Sequence, residues 1–280
     1  MAGFFGLFDY TKPGKGVNKS EPQKKRFFFF FELYFRKFWK IITLNLIYLL
    51  FCLPIVTIGP ATAALMKICK EMSNEKGIFL WSDFVEAFKK NFKQGFAMGI
   101  IDLVFAFLLA CCLWFYYHQA IAQDSLFYYI LLGVAISALL IVIMMNYYVF
   151  LMIPVLDMKL GAMIKNSFIM VAMGIKTNLC TLFFTVLLSI LVWGIYPLIT
   201  IIGCLTIFFA TYGFIVAFNS YQYIEKYIIQ PYYERTGEKR PDVYYPEDDD
   251  IDEFIFEDIG TQEKPAAKPA VNGNRGKTIK

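Results

Sequence analysis

The chain is poor in the residues on which soluble catalysis draws. It has one histidine in 280 residues, His118, so no group of imidazoles can gather a metal. A lone His at an expected external turn reads as a solvated side chain. The six cysteines, Cys52, Cys69, Cys111, Cys112, Cys180 and Cys204, lie in or beside apolar runs without a CxxC pair, and read as small buried hydrophobes. There is no glycine-rich phosphate loop, no nucleophile with its base, and no carboxylate pair set in a soluble cleft. No enzymatic reaction, cofactor or metal is therefore expected.

Charge is scarce too. Charged residues make up 18% of the chain against 58% hydrophobic and 19% aromatic, with 30 Phe and a mean hydropathy of +0.52. A soluble domain is roughly 45–50% apolar, so the excess must be buried away from water, and lipid is the natural place. Residues 1–26 are polar and basic, without the short apolar core of a removable signal. The first hydrophobic segment is expected to be retained.

The apolar runs predict an all-α, polytopic membrane protein. Residues 27–40 mix aromatics with Glu32, Arg36, Lys37 and Lys40, a charge density that suits an interfacial helix better than a span. Residues 41–75 contain Pro54 and Pro60 and read as a hairpin with one short or re-entrant arm. A charged amphipathic helix follows over 81–94. Spans are expected at 95–117, 126–153, 178–199 and 204–218, the last borrowing residues from its flanks, because a crossing helix takes about 17–25 residues. Alternating polarity, the mark of a strand barrel, is missing. In all, about five or six helices should insert as a bundle within a membrane domain at 27–231. From 232 to 280, Pro, Gly and charge replace aliphatics and predict a disordered tail. That tail carries Glu247–Asp258, with eight acids and no base in twelve residues; it is either simply solvated or a linear motif for a basic surface.

Basic residues orient the bundle. Nine Lys and Arg lie in 1–40, six in 59–94, three in 154–176 and nine from 220 onward, which accounts for all 27. The expected external turns, 118–125 and 200–203, hold none. The positive-inside rule then puts every basic segment, and both termini, in the cytoplasm, which requires an even number of crossings. A five-span arrangement would strand the six lysines of 59–94 outside. An internal repeat agrees: at an offset of 75, Ala87, Lys90, Asn91, Ala97, Met98, Gly99 and Ile100 match Ala162, Lys165, Asn166, Ala172, Met173, Gly174 and Ile175. Parallel repeats of this kind occur in transporters. The basic residues flank membrane segments, so anionic lipid headgroups and not nucleic acid are their expected partners.

Two polar residues stand out inside the spans. Asp102 is the one acid well within a span, and an ionisable group at such depth is costly unless paired, hydrated or neutral. Asn146 lies at similar depth on the next span and can hydrogen-bond across the pair; Lys165 and Lys176 are the cations within possible reach. Asn45 and Asn178 are expected to serve capping or packing near helix ends. Gly95 and Gly99 form a small-xxx-small pattern for close helix packing.

The stretches MAGFFGLFDYTKPGKGVNKSEPQKKRFF, FFELYFRKFWKIITLNLIYLLFCLPIVTIGPATAAL and SDFVEAFKKNFKQG together resemble the bacterial YesL family of uncharacterised membrane proteins. The most specific part is 53–65, where Pro54, Thr57, Gly59, Pro60 and Ala63 define the hairpin. The resemblance covers roughly residues 20–230. It implies a bacterial plasma-membrane protein often encoded beside carbohydrate-uptake ABC transporters, and supplies no catalytic residues. Two functions follow as expectations: an accessory or regulatory component of carbohydrate uptake, partnered by an ABC transporter or another membrane protein, or a small-solute transporter using Asp102 and Asn146.

The topology is directly checkable. A single cysteine placed at position 76 on a cysteine-free background should resist impermeant maleimide in intact cells and react only after permeabilisation; labelling from outside would refute the even count.

Overall fold

A computed structural model describes residues 26–194 and 197–237. The chain divides into a unit ending at Pro231 and a second beginning at Tyr232. All regular elements among the described residues are helical. They are α1 (Arg26–Arg36), α2 (Phe38–Cys52), α3 (Ile58–Ser73), α4 (Leu80–Lys90), α5 (Phe92–Gln123), α6 (Leu126–Met152), α7 (Leu160–Met173), α8 (Ile175–Trp193), α9 (Pro197–Gly203), α10 (Phe209–Ile224) and α11 (Gln230–Thr236). Four helical stretches are long and apolar enough to cross a membrane: Phe92–Gln123, Leu126–Met152, Ile175–Trp193 and Thr200–Thr236. An all-helical chain suits lipid because each helix satisfies its own backbone hydrogen bonds.

The order of the helices resolves into three antiparallel hairpins, each begun by a kinked helix. Single residues, Lys37, Asn91 and Gly174, separate α1 from α2, α4 from α5 and α7 from α8. All three sit near φ −100° with ψ between 10° and 25°. The i→i−4 ladder continues through each, as in the bonds from Ile41 to Lys37, Gly95 to Asn91 and Asn178 to Gly174. They are bends in continuous helices and not breaks. The kinked pair α1–α2 returns through α3, with Lys37 Nζ donating to the Met72 carbonyl at 2.6 Å. Helix α5 returns through α6 after a turn at Asp124 and Ser125, and α8 returns through α9–α10, where Thr177 meets Tyr223 at 2.9 Å.

The boundaries differ from expectation where the chain turns. Helix α5 runs to Gln123, so His118 lies inside it, edge-on to Trp114 with ring centroids 4.8 Å apart. The turn is only two residues because Asp124 adopts φ +43°, reversing the chain sharply. Residues 200–203, expected as the third turn, lie inside α9. Gly194 ends α8 and Pro197 opens α9, where its missing N–H has no partner to lose. The span expected at 204–218 is embedded in a helical stretch reaching Thr236, so the boundary at 232 falls inside α11. The remainder of the expected tail, including the acidic run, lies outside the described residues. The repeat at offset 75 does not mark equivalent bends: Asn91 bends the first copy, but its counterpart Asn166 lies within α7, and Gly174 bends the second while Gly99 lies within α5.

Buried side chains gather around α3, α10 and the end of α6, including Ile68, Met72, Tyr148, Leu151 and Phe214. Residues 27–40, expected as an interfacial helix, pack one face on α10: Leu33 is buried, Phe30 lies on Phe214 and Phe218, and Tyr34 Oη pairs with Thr211 Oγ1 at 3.0 Å. Phe27, Phe28, Phe35 and Trp39 remain exposed. Lys37 is partly buried at the bend, and that burial, reinforced by Arg36 and Lys40, lowers its pKa from the usual lysine value.

The first hairpin meets the second through glycine. A Cβ added at Gly59 would overlap the Gly95 carbonyl oxygen; one at Gly95 would come within 2.7 Å of Pro60 Cα, and one at Gly99 within 3.1 Å of Gly59 Cα. The Pro54 turn therefore lies beside the opening turns of α5, not its far end. Helices α2 and α3 have 15 and 16 residues, or about 22–24 Å at 1.5 Å per residue, short of the roughly 30 Å hydrocarbon core. Gly59→Ala is expected to lower the detergent-state unfolding temperature, because backbone must move to admit the methyl. Gly77→Ala, whose Cβ meets open space, should leave it within a degree or two of wild type. Equal tolerance at both sites would dispose of the close crossing.

Candidate functional site

Three clusters of polar side chains are candidates. The first is the intramembrane pair that the sequence singles out. Asp102 lies ten residues into α5, and its carboxyl group faces the Asn146 side chain of α6 within hydrogen-bonding reach; both are half-buried. Neither Lys165 nor Lys176 pairs with it among the described residues. The amide can donate to the carboxyl oxygen, and a protonated carboxyl could donate in return to the amide oxygen, so the contact serves either charge state.

The second cluster lines the meeting of α6, α8 and α10 and escaped the sequence reading. Tyr147 Oη lies 3.1 Å from Thr185 Oγ1, both buried. Tyr148 Oη donates to Asn178 Oδ1 at 2.6 Å, while Asn178 Nδ2 donates across the Gly174 bend to the Val171 carbonyl at 3.1 Å. Glycine is required at 174 because a Cβ there would sit 2.9 Å from the Tyr148 hydroxyl. The only signal for this seam was the pair of tyrosines at the end of an aliphatic span, and aromatics there are normally taken for packing. Ser220 Oγ, on the α10 side, is the one buried side-chain oxygen or nitrogen among the described residues that has no hydrogen-bond partner.

The third is Asn45, fully buried in the middle of α2 and not near a helix end. Its Nδ2 donates to the carbonyls of Cys204 and Leu205, each at 2.9 Å, and its Oδ1 accepts from the Ala210 N–H at 2.9 Å. Residues Cys204–Phe208 form a π-helical turn. Such a turn widens the helix and releases backbone groups from the regular ladder, and Asn45 takes up three of them.

The hairpin residues divide by role. Thr57 Oγ1 closes the turn onto the Phe51 and Pro54 carbonyls, at 2.5 and 2.7 Å. Gly59, Pro60 and Ala63 are buried on α3. No group of three or more His, Cys, Asp or Glu poised for a metal exists among the described residues, and all six cysteines are free. Two clefts meet at Arg26: a mixed one of about 390 Å³ whose lining includes Ser73, Asn74, Tyr221 and Gln222, and an apolar groove of about 180 Å³ between α1, α8 and α10. Neither is lined by Asp102 or Asn146.

These features define a polytopic α-helical membrane protein whose inter-helix contacts are hydrogen-bonded. Residues 41–115, from early α2 through most of α5, match the model of a family described as a protein of unknown function, DUF624. Nothing matches among curated proteins or solved structures. The matched stretch includes the hairpin motif, Gly95, Gly99 and Asp102, but not Asn146.

Asp102→Asn should leave stability within about 0.5 kcal/mol, since the amide preserves shape and can still bond Asn146. Asn146→Leu strands the carboxyl group and should cost about 1–3 kcal/mol, read by thermal unfolding in detergent. Wild-type stability in the leucine variant would show that Asn146 does not satisfy Asp102.

Proposed function

We propose that the protein is an accessory or regulatory component of the bacterial plasma membrane, associated with carbohydrate uptake, and that it carries out neither catalysis nor transport itself. The observation that carries this reading is the contrast between its two parts. Helices α6 and α8 close on one another through the Tyr147–Thr185 and Tyr148–Asn178 pairs, whereas only 6% of the most apolar stretches of α5 and α6 is buried, against 44% for the last span. A packing partner needs a locked interior and an open intramembrane face. A transporter would need a polar cavity reaching the Asp102–Asn146 level, and neither cleft described at Arg26 is lined by that pair.

The link to carbohydrate uptake rests on the resemblance to the YesL family, with which the family match over 41–115 is consistent. Both termini face the cytoplasm in this reading, because the hairpins return their basic connections to one side. Its intramembrane contact face is the α5–α6 hairpin, whose exposed Leu108, Trp114, Ile130 and Val134 would meet a transporter's membrane helices. Transport through Asp102 and Asn146 is the second reading, favoured by their lying within hydrogen-bonding reach.

Affinity purification in mild detergent separates the two. A carbohydrate ABC permease should copurify in fixed proportion with wild type and be lost from a Leu108→Ser, Val134→Ser variant that remains monodisperse. Sugar accumulation by vesicles holding the purified chain alone would establish the transport reading instead.

A further inference from the structure

The two clefts at Arg26 share a wall and differ in chemistry, the larger being mixed, with Phe29, Ala217 and Phe218 beside its polar groups, and the smaller apolar. The larger presents Arg26, the Ser73 hydroxyl and the Asn74 and Gln222 amides. The smaller is almost wholly apolar, lined by Phe27, Phe30, Phe31, Phe184, Ile215 and Cys180. Arg26 and Phe218 belong to both linings. The guanidinium is fixed at that junction: its Nη2 donates to the Phe218 carbonyl at 2.8 Å, and its Cζ stands 5.2 Å from the centre of the Phe218 ring.

From this juxtaposition we infer that the α1–α8–α10 junction is a binding site for an anionic phospholipid, with the headgroup phosphate in the Arg26 cleft and an acyl chain in the phenylalanine groove. The chemistry selects this occupant in two ways. A planar guanidinium, held on one side by a carbonyl, offers its remaining N–H groups to phosphate oxygens, and its fixed positive charge makes the cleft favour an anion over a zwitterion. An apolar groove that ends at a cation fits a molecule whose charge and hydrocarbon are joined, which a free phosphate or a sugar is not. The site is built by α1, so it places a lipid where the chain first enters the bundle, away from the α5–α6 face.

The test uses the purified full-length chain in mild detergent, with bound lipid counted by native mass spectrometry. Phosphatidylglycerol should be retained about tenfold more strongly than phosphatidylcholine of the same acyl chains, because both offer a phosphate but the choline cation of the second would be held against Arg26, and about tenfold is an ordinary magnitude for a like-charge contact near a protein surface. Glycerol phosphate, which has the headgroup without the chains, should fail to compete. Arg26→Gln should abolish the preference between the two lipids, and Cys180→Trp, which fills the groove, should weaken both. Equal retention of the two lipids by wild type, an undiminished preference in Arg26→Gln, or unchanged retention in Cys180→Trp would each overturn the assignment. Competition by glycerol phosphate would do the same, by making the site one for a soluble anion. Should Arg26→Gln fail to fold, the wild-type comparison and the tryptophan variant still decide.

Discussion

One side-chain amide ties the first membrane-associated helix to the last. Where Cys204–Phe208 widens into a π-turn, two carbonyls and the Ala210 N–H turn toward α2, and Asn45 meets all three. In lipid there is no water to take its place, and each unsatisfied backbone group would cost several kcal/mol. The π-turn and Asn45 therefore require one another. Their pairing fixes the register of α10 against α1 and α2, which lets Tyr34 find Thr211, Phe30 lie on Phe214, and Arg26 reach the Phe218 carbonyl. It also brings Gly213 onto Cys69 and Leu65 of α3, where an added Cβ would press on the Cys69 Sγ at 3.2 Å.

Polarity inside the bundle follows the same logic. Hydrophobic burial does not drive helices together in a solvent as apolar as their own side chains, so packing and hydrogen bonds must do it. Tyrosine suits this well, because its ring packs as a hydrophobe while its hydroxyl reaches a partner on the next helix. Tyr147, Tyr148 and Tyr34 each do this, with Thr185, Asn178 and Thr211 respectively. Threonine and asparagine thus supply the partners of these tyrosines, and the interior is joined without a single ion pair among its described residues. The one salt bridge described, Arg36 with Glu75, lies outside the core with both side chains about half exposed.

Length and apolarity were enough to read the helical class and the four long segments from the sequence, since both are local properties. The approach of Gly95 and Gly99 to another helix was also legible, although nothing local said that Gly59 and Pro60 would be opposite them. The turns were misread for a physical reason: the charge-free, moderately polar segments at 118–125 and 200–203 look like loops, but a helix with no competing partner continues until geometry stops it. Asp124 at positive φ and the Gly194–Pro197 pair are those stops. Asn45 illustrates the opposite failure. An isolated amide in an apolar run looks the same whether it caps, packs or clamps, and its partner is 160 residues away in the chain. The tyrosine seam was hidden likewise, because hydroxyl pairing across helices leaves no spacing pattern in either one.

The contact between Gly59 and Gly95 is made by backbone on both sides. Side chains at an interface can change rotamer and absorb a small displacement, but two main chains in direct contact have no such slack. The crossing behaves mechanically as a fulcrum: the Pro54 hairpin cannot slide along α5, and any rocking it undergoes is passed to that helix. Because α5 carries α6 with it through a two-residue turn, a load applied at the chain's first hairpin is delivered as tilt at the far end of the second.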